Sequence, residues 1–574
     1  MLNKTPNELL RLHGNISYYL NNSSNRNNVV NLIETGQIFM LETNDSSRNF
    51  KESLAKSRKY WAAYLIFIAV TCASTLSMKN LADPRFEIAA FAITAVLGMC
   101  CITYYFMHDS ADELYKVAFA IIICFGIISA LVVPIVDVSD ELEHLTRAEI
   151  TSQGVMFPEW HGGEHNLDQL YNHTNTGRYS SKLNDDVGFE TIQSHMFFLN
   201  NRENTVFDTP HDTDKINHTP ILDGSSFEQN PFYGYLPQAI GVFLAKLFDM
   251  NVIWMLWLGR IFNLICYAGL ISLAVRKAPA LKIPLLAVAC IPISIYQAAS
   301  VSIDSMIIGL GILAVAYFIY LYKAEEKSLD TKEIAIFCGI SLLLGLCKLP
   351  YLAFVFLILL VPKKNFKNEN AIKYMILGIL IVGAAGVLWS TYSEPALMHS
   401  WRSKLNNVDA SLQLHYLASH PIKILYFFKQ IFTFNLASVL NGFFNFFAAN
   451  SPDHYADNYT FITILIWIFL AATLLFYPNK TEFDFKTRFG SLVILLIVYV
   501  GTCFIQLLTW ADVGHMTLGV STRYFLPLFA LLPIIVSVKL KILDRFREKY
   551  DDYAVIFIIG FMATLILAFA TKYY

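Results

Sequence analysis

Apolar runs of helix-spanning length recur along the chain from Trp61 to Thr571, separated by polar turns, and this rhythm predicts an all-α polytopic membrane protein. The runs fall at 61–79, 86–107, 117–136, 250–275, 281–299, 303–322, 333–348, 350–361, 371–391, 459–477, 489–508, 521–538 and 553–571, which makes about thirteen transmembrane helices. Several are shorter than the ~20 residues that a straight crossing helix needs.

Two long segments, 137–249 and 392–458, break the rhythm. The first closes with "NPFYGYLPQAIGVFLAKLF", where Leu236, Ile240, Phe243, Leu244 and Leu247 recur at helical spacing. That pattern predicts a helix lying along the membrane interface. The second contains "HPIKILYFFKQIFTFNLASVLNGFFNFFAAN", whose aromatics predict a pair of interfacial helices broken at Gly442. Residues 1–60 are polar and Asn-rich, carry no cleavable signal peptide, and read as a cytoplasmic extension. The resulting order is that extension, two extra spans over 61–116, a membrane core over 117–540 and a basic segment with a last span over 541–574.

Composition agrees with this pattern. Of the 574 residues, 55% are hydrophobic and only 15% charged, too few charges to cover a water-facing surface. The net charge of −2 offers no basis for binding nucleic acid. All nine cysteines lie in apolar segments, so neither a disulfide framework nor a cysteine metal site is expected.

Lys and Arg orient the spans, because cytoplasmic loops carry their excess. Lys51, Lys56, Arg58 and Lys59 precede the first span and put the N-terminus inside. Alternate loops repeat the signal with Arg276, Lys277 and Lys282, then Lys323, Lys327 and Lys332, then Lys363, Lys364 and Lys367. It returns at Lys480, Lys486 and Arg488 and at Lys539, Lys541, Arg545, Arg547 and Lys549. The acidic loop His108–Lys116 adds nothing. Both long segments then face outside, the C-terminus is extracytoplasmic, and twelve of the fourteen histidines share that outer side.

Candidate chemistry gathers at the same face. The third span ends in "VVPIVDVSDELEHLTRAE", which supplies Asp137, Asp140, Glu141 and His144 in quick succession. Ser139 is the expected N-cap of a helix whose first turn carries acids, where the helix dipole favours them. In such a helix Asp140, His144 and Arg147 share one face. "IYQAASVSIDSM" presents Gln297, Ser302 and Asp304 at an outer turn, "GLCKLPYLAF" puts Lys348 at an outer helix end, and "GHMTLGVSTRYFLP" places Arg523 and Tyr524 at the start of a span. Arg260 lies mid-span and needs a carboxylate or a wet cavity, since an unpaired Arg there costs about 2.5–3.5 kcal/mol. Acids only capping a helix and cations only snorkelling would be the ordinary explanation. Their concentration on one side instead suits a reaction at the outer surface on an anionic, partly lipid substrate. "HGGEH" (His161–His165) matches a zinc string, but its Gly pair opposes the helix that string requires.

The series "SDELEHLTRAE", "FYGYLPQAIG" with "LGRIFNLICY", "QAASVSIDSM", "CKLPYLAF" and "GVSTRYFLP" resembles, in order, the bacterial membrane-protein family catalogued as domain of unknown function 2142. The likeness covers about residues 115–540. The family pattern usually begins Pro-Pro-Asp-Glu with a His three residues on; Asp140, Glu141 and His144 match, while Val138 and Ser139 stand for the prolines. Thr522 stands where the later motif usually has Gly before Arg523.

The resemblance implies membership of the GT-C superfamily of polytopic glycosyltransferases, in the cytoplasmic membrane. It implies a polyprenyl-phosphate-linked sugar donor and a glycan or lipid-linked acceptor. An acid of the first outer loop is then the general base of an inverting transfer: Asp140 first, with Glu141 the second candidate or a metal ligand, and His144 orienting. Arg523 and then Lys348 would hold the donor phosphate. Arg260 would join them or pair with the acids, while Asp137, Arg147, Asp304, Gln297 and Tyr524 give polar support. No spacing dictates a metal site, although the acids leave a divalent cation such as Mg or Mn open. A flippase of lipid-linked glycans and a non-catalytic assembly scaffold are the competing classes.

Overall fold

The computed structural model describes residues 38–76, 84–108, 110–135, 137–157, 190–192, 214–216, 218, 221–223, 225–398, 408–444, 460–478, 482–516, 518–536 and 547–574. The "HGGEH" string lies outside the described residues. The chain separates into two units, Met1–Lys59 and Tyr60–Tyr574, and the second holds a helical bundle.

The apolar runs form helices. They begin with α1 (Ile38–Leu76), α2 (Arg85–Met107) and α3 (Leu114–Val132), followed by α4 (Glu141–Ser152). Two three-residue strands, β1 (Glu190–Ile192) and β2 (Ile221–Asp223), pair antiparallel with Thr191 opposite Leu222. Next come α5 (Leu236–Leu247), α6 (Ile253–Lys277), α7 (Lys282–Cys290), α8 (Pro292–Ala298), α9 (Asp304–Lys323) and α10 (Thr331–Cys347). The remainder is α11 (Ala371–Met398), α12 (Ala410–Ser419), α13 (Ile422–Gln430), α14 (Leu436–Phe444), α15 (Thr460–Leu475), α16 (Phe485–Trp510), α17 (Leu532–Ile535) and α18 (Arg547–Tyr573). Among the described residues, seven helices are long and apolar enough to cross a membrane unaided: α2, α3, α6, α9, α11, α16 and α18. α9 and α18 are buried almost throughout, whereas α11 turns Leu380, Val387 and Leu388 outward, as a lipid-facing helix does.

Two short runs solve their length problem by winding tightly. Leu349–Leu360 and Thr522–Leu531 are 3-10 helices. At about 2.0 Å per residue, a twelve-residue 3-10 segment reaches about 24 Å, against about 18 Å as α-helix. The expected span 281–299 is corrected to two pieces, α7 and α8, broken at the extended Ile291 before Pro292. Two of the carbonyls at the break are answered by side chains: Ser294 Oγ donates to Val288 O at 2.9 Å and Tyr267 Oη to Ala289 O at 2.8 Å.

Lysines and arginines mark one end of the bundle. Lys277 lies over the Tyr320 ring, Lys323 donates to Glu482 O, Lys364 pairs with Glu326, and Arg488 donates to Ile535 O. At the opposite end, contacts of Tyr573, Asp137, Asp140, Asp304 and Arg523 bring the ends of α3, α9 and α18 and the start of the second 3-10 helix together.

α5 carries the expected apolar stripe with Leu236, Ile240, Phe243 and Leu247 exposed, while Gln238, Ala239, Gly241, Val242 and Ala245 are buried. Small residues let it lie directly on α6. A Cβ on Gly241 would stand 2.3 Å from Leu258 O and 2.7 Å from Gly259 N, both rigid backbone atoms. Gly241→Ala should therefore lower stability by about 1–3 kcal/mol, read as a drop in thermal midpoint in detergent. An unchanged midpoint would mean that the two helices separate freely.

In the second long segment the helix runs on through Gly442, and the expected break there is corrected to His420–Pro421. Gly442 serves a close approach instead: a Cβ would meet Thr522 Oγ1 at 2.0 Å, one residue before Arg523.

Candidate functional site

The geometry starts where α3 ends. A helix leaves its last carbonyls without partners, and here Arg260 of α6 takes them. Its Nη1 donates to Ala130 O (2.9 Å) and Val133 O (2.8 Å), and its Nη2 to Pro134 O (2.9 Å). Glu141 balances the charge, accepting from Nε at 2.8 Å and from Nη2 at 2.6 Å. Both side chains are fully buried. All five N–H groups of Arg260 are engaged within the protein, so it builds the turn rather than meeting a ligand. Glu141 Oε1 also accepts from Val301 N at 3.3 Å, which ties the α8–α9 turn to the same knot. Asn263 continues it, donating to Ser300 O and Ser302 O and accepting from Ser305 Oγ.

Asp140 occupies the N-cap position in place of Ser139, in the left-handed conformation with φ 64°. Aspartate tolerates that region better than most residues. Its carboxylate does not cap α4; it turns to Arg523, whose Nη2 donates to Oδ2 at 2.7 Å. Arg523 Nη1 donates to Ser139 O at 2.8 Å, and Nε lies 3.0 Å from Asp304 Oδ2 as an ion pair without hydrogen-bond alignment. One buried guanidinium thus joins two carboxylates from distant parts of the chain. Lys348, extended between α10 and the first 3-10 helix, sets its ammonium 3.0 Å above the Tyr524 ring centroid, a cation–π contact. Tyr351 Oη fixes that tyrosine from behind by donating to Tyr524 O at 2.7 Å.

Arg523 and Lys348 border a cavity of about 370 Å³, large enough for a sugar and a phosphate, which Asp140 adjoins through Arg523 without lining it. Asp304, Lys348, Arg523 and Tyr524 line it together with His144. α11 contributes Trp389, Ser393 and Glu394, and α16 contributes Thr502, Gln506 and Trp510. The lining is mostly apolar, with Asp304, Lys348, Glu394 and Arg523 as its charged groups.

Phe227, Gln229 and Asn230 form the remaining wall. His144 stacks on Phe227 at 4.2 Å, and its Nδ1 lies 2.7 Å from Tyr235 Oη. Asn230 Nδ2 donates to that phenol at 3.1 Å. Arg147 is buried behind this group, donating to Thr151 Oγ1 and Met156 O and lying 5.8 Å from the Tyr235 ring centroid. Glu143 holds the loop by accepting from Ser226 N at 2.7 Å, while its backbone carbonyl takes Ser225 Oγ.

Glu228 is buried in the same loop, where it accepts from Ser225 N. Burial pushes its carboxyl up to about 8, with Glu143 adding to the effect and Arg147 opposing it. The folded loop therefore keeps a proton that the unfolded chain releases in the ordinary carboxylate range. Its contribution to stability falls as pH rises from about 4.5 and levels off above about 8. Glu228→Gln should flatten that decline in a series of thermal midpoints between these limits; an unaltered slope would show that Glu228 ionises freely.

Other expected residues lie apart from the cavity. Asp137 accepts from Tyr296 Oη at 2.7 Å and Tyr573 Oη at 2.8 Å, which fastens α18 to the end of α3. Gln297 is buried in α8 with neither amide atom hydrogen-bonded. Among the described residues no cluster of three His, Cys, Asp or Glu could hold a metal ion, and Asp140 and Asp304 already share Arg523. The described residues of this site therefore do not fit a resident divalent cation. Sequence reasoning passed over Phe227, Asn230 and Tyr235 as individual residues, although "FYGYLP" signalled the last. Trp389 and Glu394 gave no signal, because they read as the end of a span.

The fold and site define a polytopic helical membrane protein with a charged, half-apolar cavity at one end of its bundle. Residues 123–532 match the family described as predicted membrane protein, domain of unknown function 2142, and the chain belongs to that family. No curated protein and no solved structure matches it.

Proposed function

We propose that this protein is a GT-C-type glycosyltransferase that moves a sugar from a polyprenyl-phosphate donor to a cell-surface glycan or lipid-linked acceptor. The observation that carries the reading is the cavity itself: Lys348 and Arg523 at its floor, carboxylates on the same arginine, and apolar walls from α11 and α16. Cations suit a phosphate, carboxylates suit proton removal, and apolar walls suit a polyprenyl chain. The cationic loops lie at the other end of the bundle, so the positive-inside rule turns the cavity to the outer face of the cytoplasmic membrane.

In this mechanism Asp140 takes the proton of the acceptor hydroxyl as its oxygen bonds to the anomeric carbon. The bond from that carbon to the phosphate oxygen breaks, and its electron pair leaves with the lipid phosphate. Lys348 and Arg523 stabilise the charge that grows there. His144 orients the acceptor, and Glu141 and Arg260 hold Asp140 in place.

The test is purified protein in nanodiscs with a radiolabelled polyprenyl-phosphate sugar and a membrane glycan fraction. Label transferred to glycan supports the reading. Lipid flipping without transfer would support a transporter, and donor binding with neither would support a scaffold.

A further inference from the structure

The proposed base and the proposed phosphate-binding cation are bonded to each other. Asp140 Oδ2 receives Arg523 Nη2 at 2.7 Å, and Asp304 Oδ2 stands 3.0 Å from Nε of the same guanidinium. A donor phosphate would be the third anion on one arginine. Like charges so close disfavour one another, so one carboxylate must yield or take up a proton.

The two carboxylates are held very differently. Asp304 begins α9 and is almost wholly buried; its own N–H donates to Ser302 Oγ, and Asn263 fixes the carbonyl of Ser302. Asp140 stands on a left-handed turn, its side chain about a fifth exposed. Asp140 makes the closer contact with the arginine, but it is the more exposed of the two carboxylates and so the one with water to turn to.

We infer that Asp304 is a positioning residue that keeps Arg523 at the cavity floor, so that an arriving phosphodiester displaces Asp140 and frees it to act as base. This rests on the glycosyltransferase reading and adds an order to it: donor first, proton removal second. The displaced carboxylate faces a fresh negative charge, which raises its affinity for a proton and makes it the stronger base. Without donor, Asp140 stays bound to Arg523, and acceptor hydroxyls are left untouched.

Two measurements test the idea. In the first, a water-soluble carbodiimide and an amine label carboxylates of the intact protein in nanodiscs, with and without sugar-free polyprenyl phosphate, and mass spectrometry reads each site. Asp140 labelling should rise severalfold with the lipid while Asp304 stays unlabelled. Bound lipid without a rise at Asp140 overturns this inference alone. Absence of lipid binding overturns it together with the glycosyltransferase reading. In the second, Asp304→Asn should raise the donor KM about tenfold with a smaller change in kcat, and Asp304→Glu should recover part of it. Lowered thermal stability at unchanged KM would reduce Asp304 to a structural part.

Discussion

Asp140→Asn protein should fold and reach the membrane in normal amounts yet transfer sugar about 10²–10⁴-fold more slowly, the usual contribution of a positioned general base. The substitution isolates charge from shape. Asparagine tolerates the left-handed backbone at φ 64° as well as aspartate does, so the turn before α4 keeps its geometry. The amide oxygen can still accept from Arg523 Nη2, so the contact at 2.7 Å is retained in weaker form. What disappears is the capacity to take a proton. Donor binding should survive or tighten, because Arg523 is relieved of one anion. Initial rates with saturating donor, set beside folded yield, give the comparison directly. Turnover near that of the parent protein would remove Asp140 from the base role and leave Asp304 and Glu394, the carboxylates that line the cavity, as the remaining choices.

Much of this fold is legible from hydropathy, because a bilayer-crossing segment announces itself by length alone. The places where reading stops have physical causes. Hydropathy registers how oily a segment is, and 281–299 is oily throughout; only Pro292 hints at a break. Tyr267 and Ser294, which make the break tolerable by taking the freed carbonyls, come from α6 and from beyond the break itself. The 3-10 winding of Leu349–Leu360 is likewise set by packing between neighbours rather than by composition. Gly442 shows the opposite error. Glycine read locally suggests a helix end, whereas here it answers a contact with Thr522, eighty residues on.

The site divides along the same line. Charges at membrane depth stand out because they are costly, and Asp140, Lys348, Arg260, Asp304 and Arg523 were all visible for that reason. Their partners were not. Nothing local says that Arg260 answers Glu141 while Arg523 answers Asp140, although the two acids are adjacent in sequence. The helical turn beginning at Asp140 decides it, sending one carboxylate into the core and the other toward the cavity. Glu394 reaches the cavity because α11 extends to Met398, beyond the apolar run that marks its span.

Arg260→Met should destabilise the protein more than any other single change at this end of the bundle, by about 3–5 kcal/mol. It leaves the Glu141 carboxyl fully buried without its counter-charge, and it strips the partners from Ala130 O, Val133 O and Pro134 O at the end of α3. Glu141→Gln should cost less. Arg260 then keeps its three carbonyl partners, and the amide still accepts one of its N–H groups. The double variant Arg260→Met with Glu141→Leu should regain part of the loss, since it removes the orphaned charge along with its former partner. Thermal unfolding of the parent, Arg260→Met, Glu141→Leu and the double variant in one detergent completes the cycle. A double variant no more stable than Arg260→Met alone would show that the carbonyls, and not the charge, dominate the cost. Losses below about 1 kcal/mol for both single variants would mean that water reaches the pair. The turn at Asp140 would then be held by something other than the ion pair beneath it.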